Sequence, residues 1–215
     1  MSDCWIVTAS CRKFDLLEPA EEDILIEDIC TSLSKLCRFT GHCQRPYSVA
    51  QHCCIGALFV PAEYRLEFLL HDASEAYLGD VSSPLKKVLP DYKKIEDNLD
   101  RVIRRKFGLP ESKTDVVHKM DRIMLATEAR DLMPLCDFGE YVEGVEPLKS
   151  KITPISYFRA ASNLYNAIES QLLRRSLKGT VPTSEVAAPS PVSQELFSKD
   201  FPASLIVKAD FIKPS

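Results

Sequence analysis

Glycine is scarce, with 7 in 215 residues, and alternating β-branched runs are few. Both absences argue against an extended sheet and for helices. No apolar run is long enough to cross a bilayer, and no charged-then-apolar leader precedes Cys4. A basic excess is also missing. Lys and Arg total 27 against 31 Asp and Glu, a formal net charge of -4. Proteins that hold nucleic acid by its backbone carry a strong positive surplus, so no nucleic-acid partner and no membrane partner are expected. A small anionic substrate needs only a local cation or a metal, and stays allowed. The 8 cysteines, at positions 4, 11, 30, 37, 43, 53, 54 and 136, include no C-x2-C pair. A structural zinc site is therefore not expected, and the thiols are expected to be reduced in a cytoplasmic protein.

What is present fits one soluble domain. Hydrophobic residues make up 45% and charged residues 27%, enough for a substantial core. Residues 1–20 predict a small hairpin or an irregular extended arm, anchored by Trp5 and Phe14. Amphipathic helical patterns follow over 23–37, 48–60, 62–79, 91–107, 113–134 and 154–177. Ser48 is a good N-cap for the second of these. The last is expected to bury Tyr157, Ala161, Leu164, Ile168 and Leu172. From Gly179 the chain turns rich in Pro, Ser and Ala. The expected organisation is a helical domain over 1–178, then a linker and C-terminal tail over 179–215.

Chemistry concentrates in LLHDASEAYLGDVSSPLKK, residues 69–87. His71 and Asp72 are adjacent within a helical pattern, and Glu75 lies one turn further, so the three side chains can gather on one face. Asp80 follows Gly79, where the helix should end. Burying His, Asp and Glu together is costly unless they are paired or bound to something. His52, in YSVAQHC, and Asp121, in HKMDRIMLATEARDL, each sit in another predicted helix among apolar neighbours. The loop RFTGHCQRPY adds Arg38, Phe39, His42 and Arg45. Arginine suits phosphate through its planar fork, and an aromatic ring can stack on a base.

The order His52, then His71-Asp72, then Asp121 resembles the HD-domain metal-dependent phosphohydrolases. SVAQH followed by LLHDASEAYLGDVSSPLK is similar to the branch that holds bacterial 5'-deoxynucleotidases and small phage-type HD hydrolases, among them dATP triphosphohydrolases. The resemblance covers roughly residues 20–175. It implies an all-α, HD-domain helical bundle in which His52, His71, Asp72 and Asp121 bind one divalent ion. Imidazole with carboxylate suits Co, Mn, Zn, Ni or Fe, with Mg allowed. Glu75 would handle the proton of the attacking water or leaving oxygen, and Asp80 would position water or sugar. Arg38, Phe39 and Lys86 would bind the nucleotide. The implied substrate is a deoxynucleotide, with dNTP cleavage to nucleoside and triphosphate placed first. A basic lining for the triphosphate is sought in RVIRRK, residues 101–106. Release of one phosphate from a dNMP is the alternative, and another HD phosphodiesterase or a non-catalytic nucleotide-binding module stays open. The resemblance also implies a homo-oligomer, a dimer or higher, in the cytoplasm (that of a host cell for a phage protein).

Overall fold

A computed structural model describes residues 3–134 and 142–179, and the expected linker and tail from residue 180 onward lie outside these residues. The described chain is mostly helical. A hairpin, β1 (Trp5–Val7) and β2 (Lys13–Asp15), leads into α1 (Ile26–Leu33), α2 (Val49–Ala57), α3 (Arg65–Leu70), α4 (Glu75–Leu78), α5 (Ser83–Lys86), α6 (Pro90–Lys106), α7 (Asp115–Leu132) and α8 (Tyr157–Gly179). Short 3-10 turns precede α1, α2 and α3.

Of the two forms expected for the N-terminal arm, the chain takes the hairpin, which is antiparallel with Ile6 opposite Phe14. Phe14 is fully buried and stacks on Tyr77 at 4.1 Å. This contact gives the strand an inward face. Trp5 does not anchor it: the indole is 45% exposed, with the Lys13 ammonium over its ring.

α2 is the axis of the fold. Every residue from Val49 to Ala57 is buried, as expected of a helix covered on all sides. α3, α7 and α8 pack on it, and α8 also covers α1 and α3. Ser48 caps α2 by accepting from the Gln51 N–H. The buried Gln51 amide is satisfied across the core, donating to Thr153 O and accepting from Ile155 N–H. α8 buries Ala160, Leu164, Ala167 and Ile168, whereas Tyr157, expected inside, is 46% exposed.

α2 and α3 approach so closely that position 56 must be glycine. A Cβ there would fall 2.2 Å from Cε1 of the buried Phe68 ring. Gly56→Ala should therefore overpack this crossing and destabilise the fold by about 1–3 kcal/mol. For a domain of this size that lowers the melting temperature by about 2–4 °C per kcal/mol, readable by thermal denaturation.

The helix expected over 62–79 is broken. α3 ends at Leu70, residues 71–74 form tight turns, and α4 resumes at Glu75. Ala73 N–H donates to Leu70 O and Glu75 N–H to Asp72 O, both bonds spanning three residues rather than four. The cause lies in a side chain. His71 Nδ1 stands 2.7 Å from Phe68 O. That carbonyl would otherwise accept from the Asp72 amide in a regular helix. The imidazole takes the bond, and the helix tightens where the His-Asp pair sits.

Candidate metal centre

Two helices and the turn after α3 deliver four side chains to one point. His52 comes from the middle of α2, His71 and Asp72 from the α3–α4 break, and Asp121 from α7. His52 Nε2 lies 3.3 Å from His71 Nε2, 3.4 Å from Asp121 Oδ1 and 3.8 Å from Asp72 Oδ2. His71 Nε2 lies 3.1 Å from Asp72 Oδ2 and 3.7 Å from Asp121 Oδ1. The ligand atoms of His52, His71 and Asp72 all fall within 4.8 Å of one another. Ligands about 2.0–2.2 Å from a central ion stand roughly 3–3.5 Å apart at their edges, and the spacings here are of that size.

The proton positions make the arrangement specific. His71 Nδ1 faces a carbonyl oxygen, which only accepts, so this nitrogen carries the hydrogen. His52 Nδ1 faces Glu128 Oε1 at 2.6 Å. Burial works against the Glu128 charge, but the Arg38 guanidinium and the His52 ring hold its carboxyl below the usual range. Glu128 is thus an ionised acceptor, and His52 Nδ1 also carries a hydrogen. In its neutral form, each imidazole would therefore turn the lone pair of Nε2 toward the same point, where two carboxylates also aim oxygens.

The field at that point favours positive charge. Burial opposes a charged His71, yet the Asp72 charge and the Asp121 carboxylate beside the ring raise its pKa well above the ordinary value. Burial likewise opposes the Asp72 charge, and His71 outweighs it and holds the carboxyl far below its ordinary range. Asp72 Oδ2 is buried and closes no hydrogen bond of good geometry, despite its nearness to His71. Four convergent acceptors and an orphaned carboxylate oxygen fit a divalent cation bound by two His and two Asp.

Around this centre the other sequence candidates take distinct places. Arg38 is tied to Glu128, with Nη2 at 3.0 Å and Nε at 3.3 Å from Oε2, and only Nη1 turns toward Asp72 Oδ2, at 3.7 Å. Phe39 follows it in left-handed backbone, at φ 54°, with the Arg38 guanidinium 6.0 Å from its ring centre. His42 and Arg45 are exposed on the same loop. Lys86 donates to Glu96 at 2.5 Å and lies 3.7 Å from Glu75 Oε1. Glu75 is buried, and its Oε2 has no hydrogen-bond partner. Burial, then the Asp72 and Asp80 charges, push its carboxyl well above the ordinary range. Asp80, beyond Gly79 with φ 81°, is raised mainly by burial. RVIRRK turns elsewhere: Arg104 pairs with Glu67 and Asp100, Arg105 with Glu21, and Lys106 donates to Glu21 O.

Sequence reasoning did not single out Lys113, whose Nζ lies 3.6 Å from Asp121 Oδ2 and 3.9 Å from Asp72 Oδ1. Nor did it assign a role to Glu128, which lies two turns beyond Asp121 on α7. That spacing was the available signal for a residue behind the site. The seven described cysteines are free thiols. No described helix is long and apolar enough to cross a membrane.

Fold and site together define a mostly helical protein with a buried His/His/Asp cluster suited to a cation. No protein-family model matches the chain. It is 49% identical to the uncharacterized protein YfdR of Escherichia coli over 128 residues, 60% of this chain and 72% of YfdR. The chain belongs to the YfdR family. It is also 38% identical over 120 residues to an uncharacterized protein of Rhodobacter capsulatus, spanning 51% of this chain and 61% of that protein.

Proposed function

We propose that the protein is a divalent-metal-dependent phosphohydrolase of the HD-domain type that acts on deoxynucleotides. One observation carries this reading: the Nε2 atoms of His52 and His71 converge with oxygens of Asp72 and Asp121, while both Nδ1 atoms are held by acceptors. His52, His71, Asp72 and Asp121 hold the ion. When bound, it polarises a phosphoryl oxygen and lowers the pKa of a water molecule. Phe68 O and Glu128 keep the imidazole protons on the far nitrogens. Glu75, whose environment favours the protonated acid, keeps a proton at its carboxyl for the leaving oxygen. Asp80 orients water or the sugar beside it. Arg38 Nη1 offsets the charge of Asp72.

The sequence resemblance puts dNTP cleavage to triphosphate first. The cations of the site favour the second reading, removal of a single phosphate. Arg38 and Lys86 are already bonded to Glu128 and Glu96, and RVIRRK is committed to other carboxylates and carbonyls. A triphosphate would meet few uncommitted positive charges among the described residues. A product assay separates the two. The protein is supplied with Co2+ or Mn2+ and incubated with each dNMP and each dNTP, and nucleosides and phosphate species are resolved by chromatography. Orthophosphate from dNMPs is the expected product. Triphosphate from dATP would reverse the order of the two readings. Metal binding without turnover of any of these nucleotides would sink the deoxynucleotide reading.

A further inference from the structure

Five carboxylates surround the centre: Asp72, Glu75, Asp80, Asp121 and Glu128. Among the cations beside them, Arg38 is bonded to Glu128 and Lys86 to Glu96. Lys113 differs. Its ammonium stands 3.6 and 3.9 Å from the outer oxygens of Asp121 and Asp72, beyond hydrogen-bond range. It makes no hydrogen bond to a protein atom among the described residues. Its side chain is 23% exposed, so it borders solvent while the imidazoles lie beneath it. Asp72 Oδ2 and Asp121 Oδ1, the oxygens nearest the imidazoles, point inward, and Lys113 lies on the other side of both carboxylates.

The position is also braced. The neighbouring Thr114 donates its N–H to Glu67 Oε1 at 2.9 Å and its hydroxyl to Oε2 at 2.8 Å. Glu67 is buried against Arg104, whose Nη1 also bonds Pro110 O at 3.0 Å. A buried ion pair thus fixes both sides of a short loop whose one site-facing charge is Lys113. With the two aspartates neutralised by a divalent ion, three ammonium donors are left for an incoming anion.

We infer that Lys113 is a substrate-contacting residue: its ammonium binds a non-bridging oxygen of the substrate phosphate at the solvent side of the metal centre. The inference rests on the phosphohydrolase reading, and its test has a readout apart from turnover. Metal-loaded wild type, Lys113→Met and Lys113→Arg are titrated with inorganic orthophosphate by calorimetry, alongside metal content and melting temperature. Loss of a charge-assisted bond should weaken phosphate binding about tenfold or more in Lys113→Met, with metal content and melting temperature unchanged. Lys113→Arg should retain most of the affinity. With an active substrate, KM should rise by a similar factor while kcat changes little. Unchanged phosphate affinity in Lys113→Met, loss of metal in that variant, or no phosphate binding by wild type would each overturn the assignment. Phosphate binding that depends on Lys113, without turnover of any deoxynucleotide, would uphold Lys113 and reject the substrate reading.

Discussion

Asp121→Ala should abolish stoichiometric metal binding and lower phosphohydrolase activity by about 10³-fold or more, while the protein stays folded. Lewis-acid stabilisation by a bound ion is worth several kcal/mol, and each ~1.4 kcal/mol is tenfold in rate. Asp121 supplies Oδ1 at 3.4 and 3.7 Å from the two Nε2 atoms. Its side chain is 31% exposed, and it contributes no packing to the core. Asp121 lies on the partly exposed face of α7, and alanine is the best helix former, so the helix should not suffer. Metal analysis of purified protein, thermal denaturation and the product assay read the three parts separately. A variant with wild-type metal content and turnover would refute the ligand assignment, and one that unfolded would show Asp121 to be structural.

Glu128→Ala should behave differently, failing in stability as well as in chemistry. Glu128 is fully buried and receives both the His52 Nδ1–H and the Arg38 guanidinium. Its removal strands a buried cation. Breaking one side of a buried ion pair costs about 3–5 kcal/mol, against a total stability of about 5–15 kcal/mol for most domains. A large fall in melting temperature, or insoluble protein, is expected. Glu128→Gln is the sharper probe because it keeps the shape. If the new amide turns its oxygen to His52, its NH2 group confronts Arg38. If it turns its NH2 group to His52, Nδ1 must become the acceptor, and the proton moves to Nε2. That proton would stand where the metal binds. Loss of a residue that orients a metal-binding imidazole typically weakens metal affinity 10–100-fold, measurable by chelator competition. Equal metal affinity in Glu128→Gln and wild type would mean that the carboxylate does not set the His52 tautomer.

Much of this was legible in the chain. The helical pattern over 91–107 matches α6, which buries Leu99, Val102 and Ile103, and Ser48 caps α2 as its side chain suggests. The four residues that the order of motifs singles out do meet in space. The misses share a cause. Periodicity reports which face is apolar, but not which carbonyl a buried side chain will take. The break at His71 was therefore invisible, because it depends on an imidazole competing with the backbone for Phe68 O. Charge partners were equally hidden. The sequence reads Arg38 and Lys86 as phosphate ligands, and it does not show that Glu128, 90 residues away, and Glu96 pair with them. Lys113 lies in a loop without a pattern, and only the fold brings it against Asp72 and Asp121.

The two imidazoles are held in the same tautomer by unlike means, and they face mutation differently. His71 leans on a main-chain oxygen, which no single-residue substitution at position 68 deletes. His52 leans on a side chain that one base change can replace. Descent with loss of activity would then begin at position 128 more readily than at the His-Asp pair itself. A descendant could keep the visible His-Asp signature and still have lost its ion. On the proposed reading, the residue aligned with Glu128 should sort metal-binding relatives from those that have lost the ion better than the signature does.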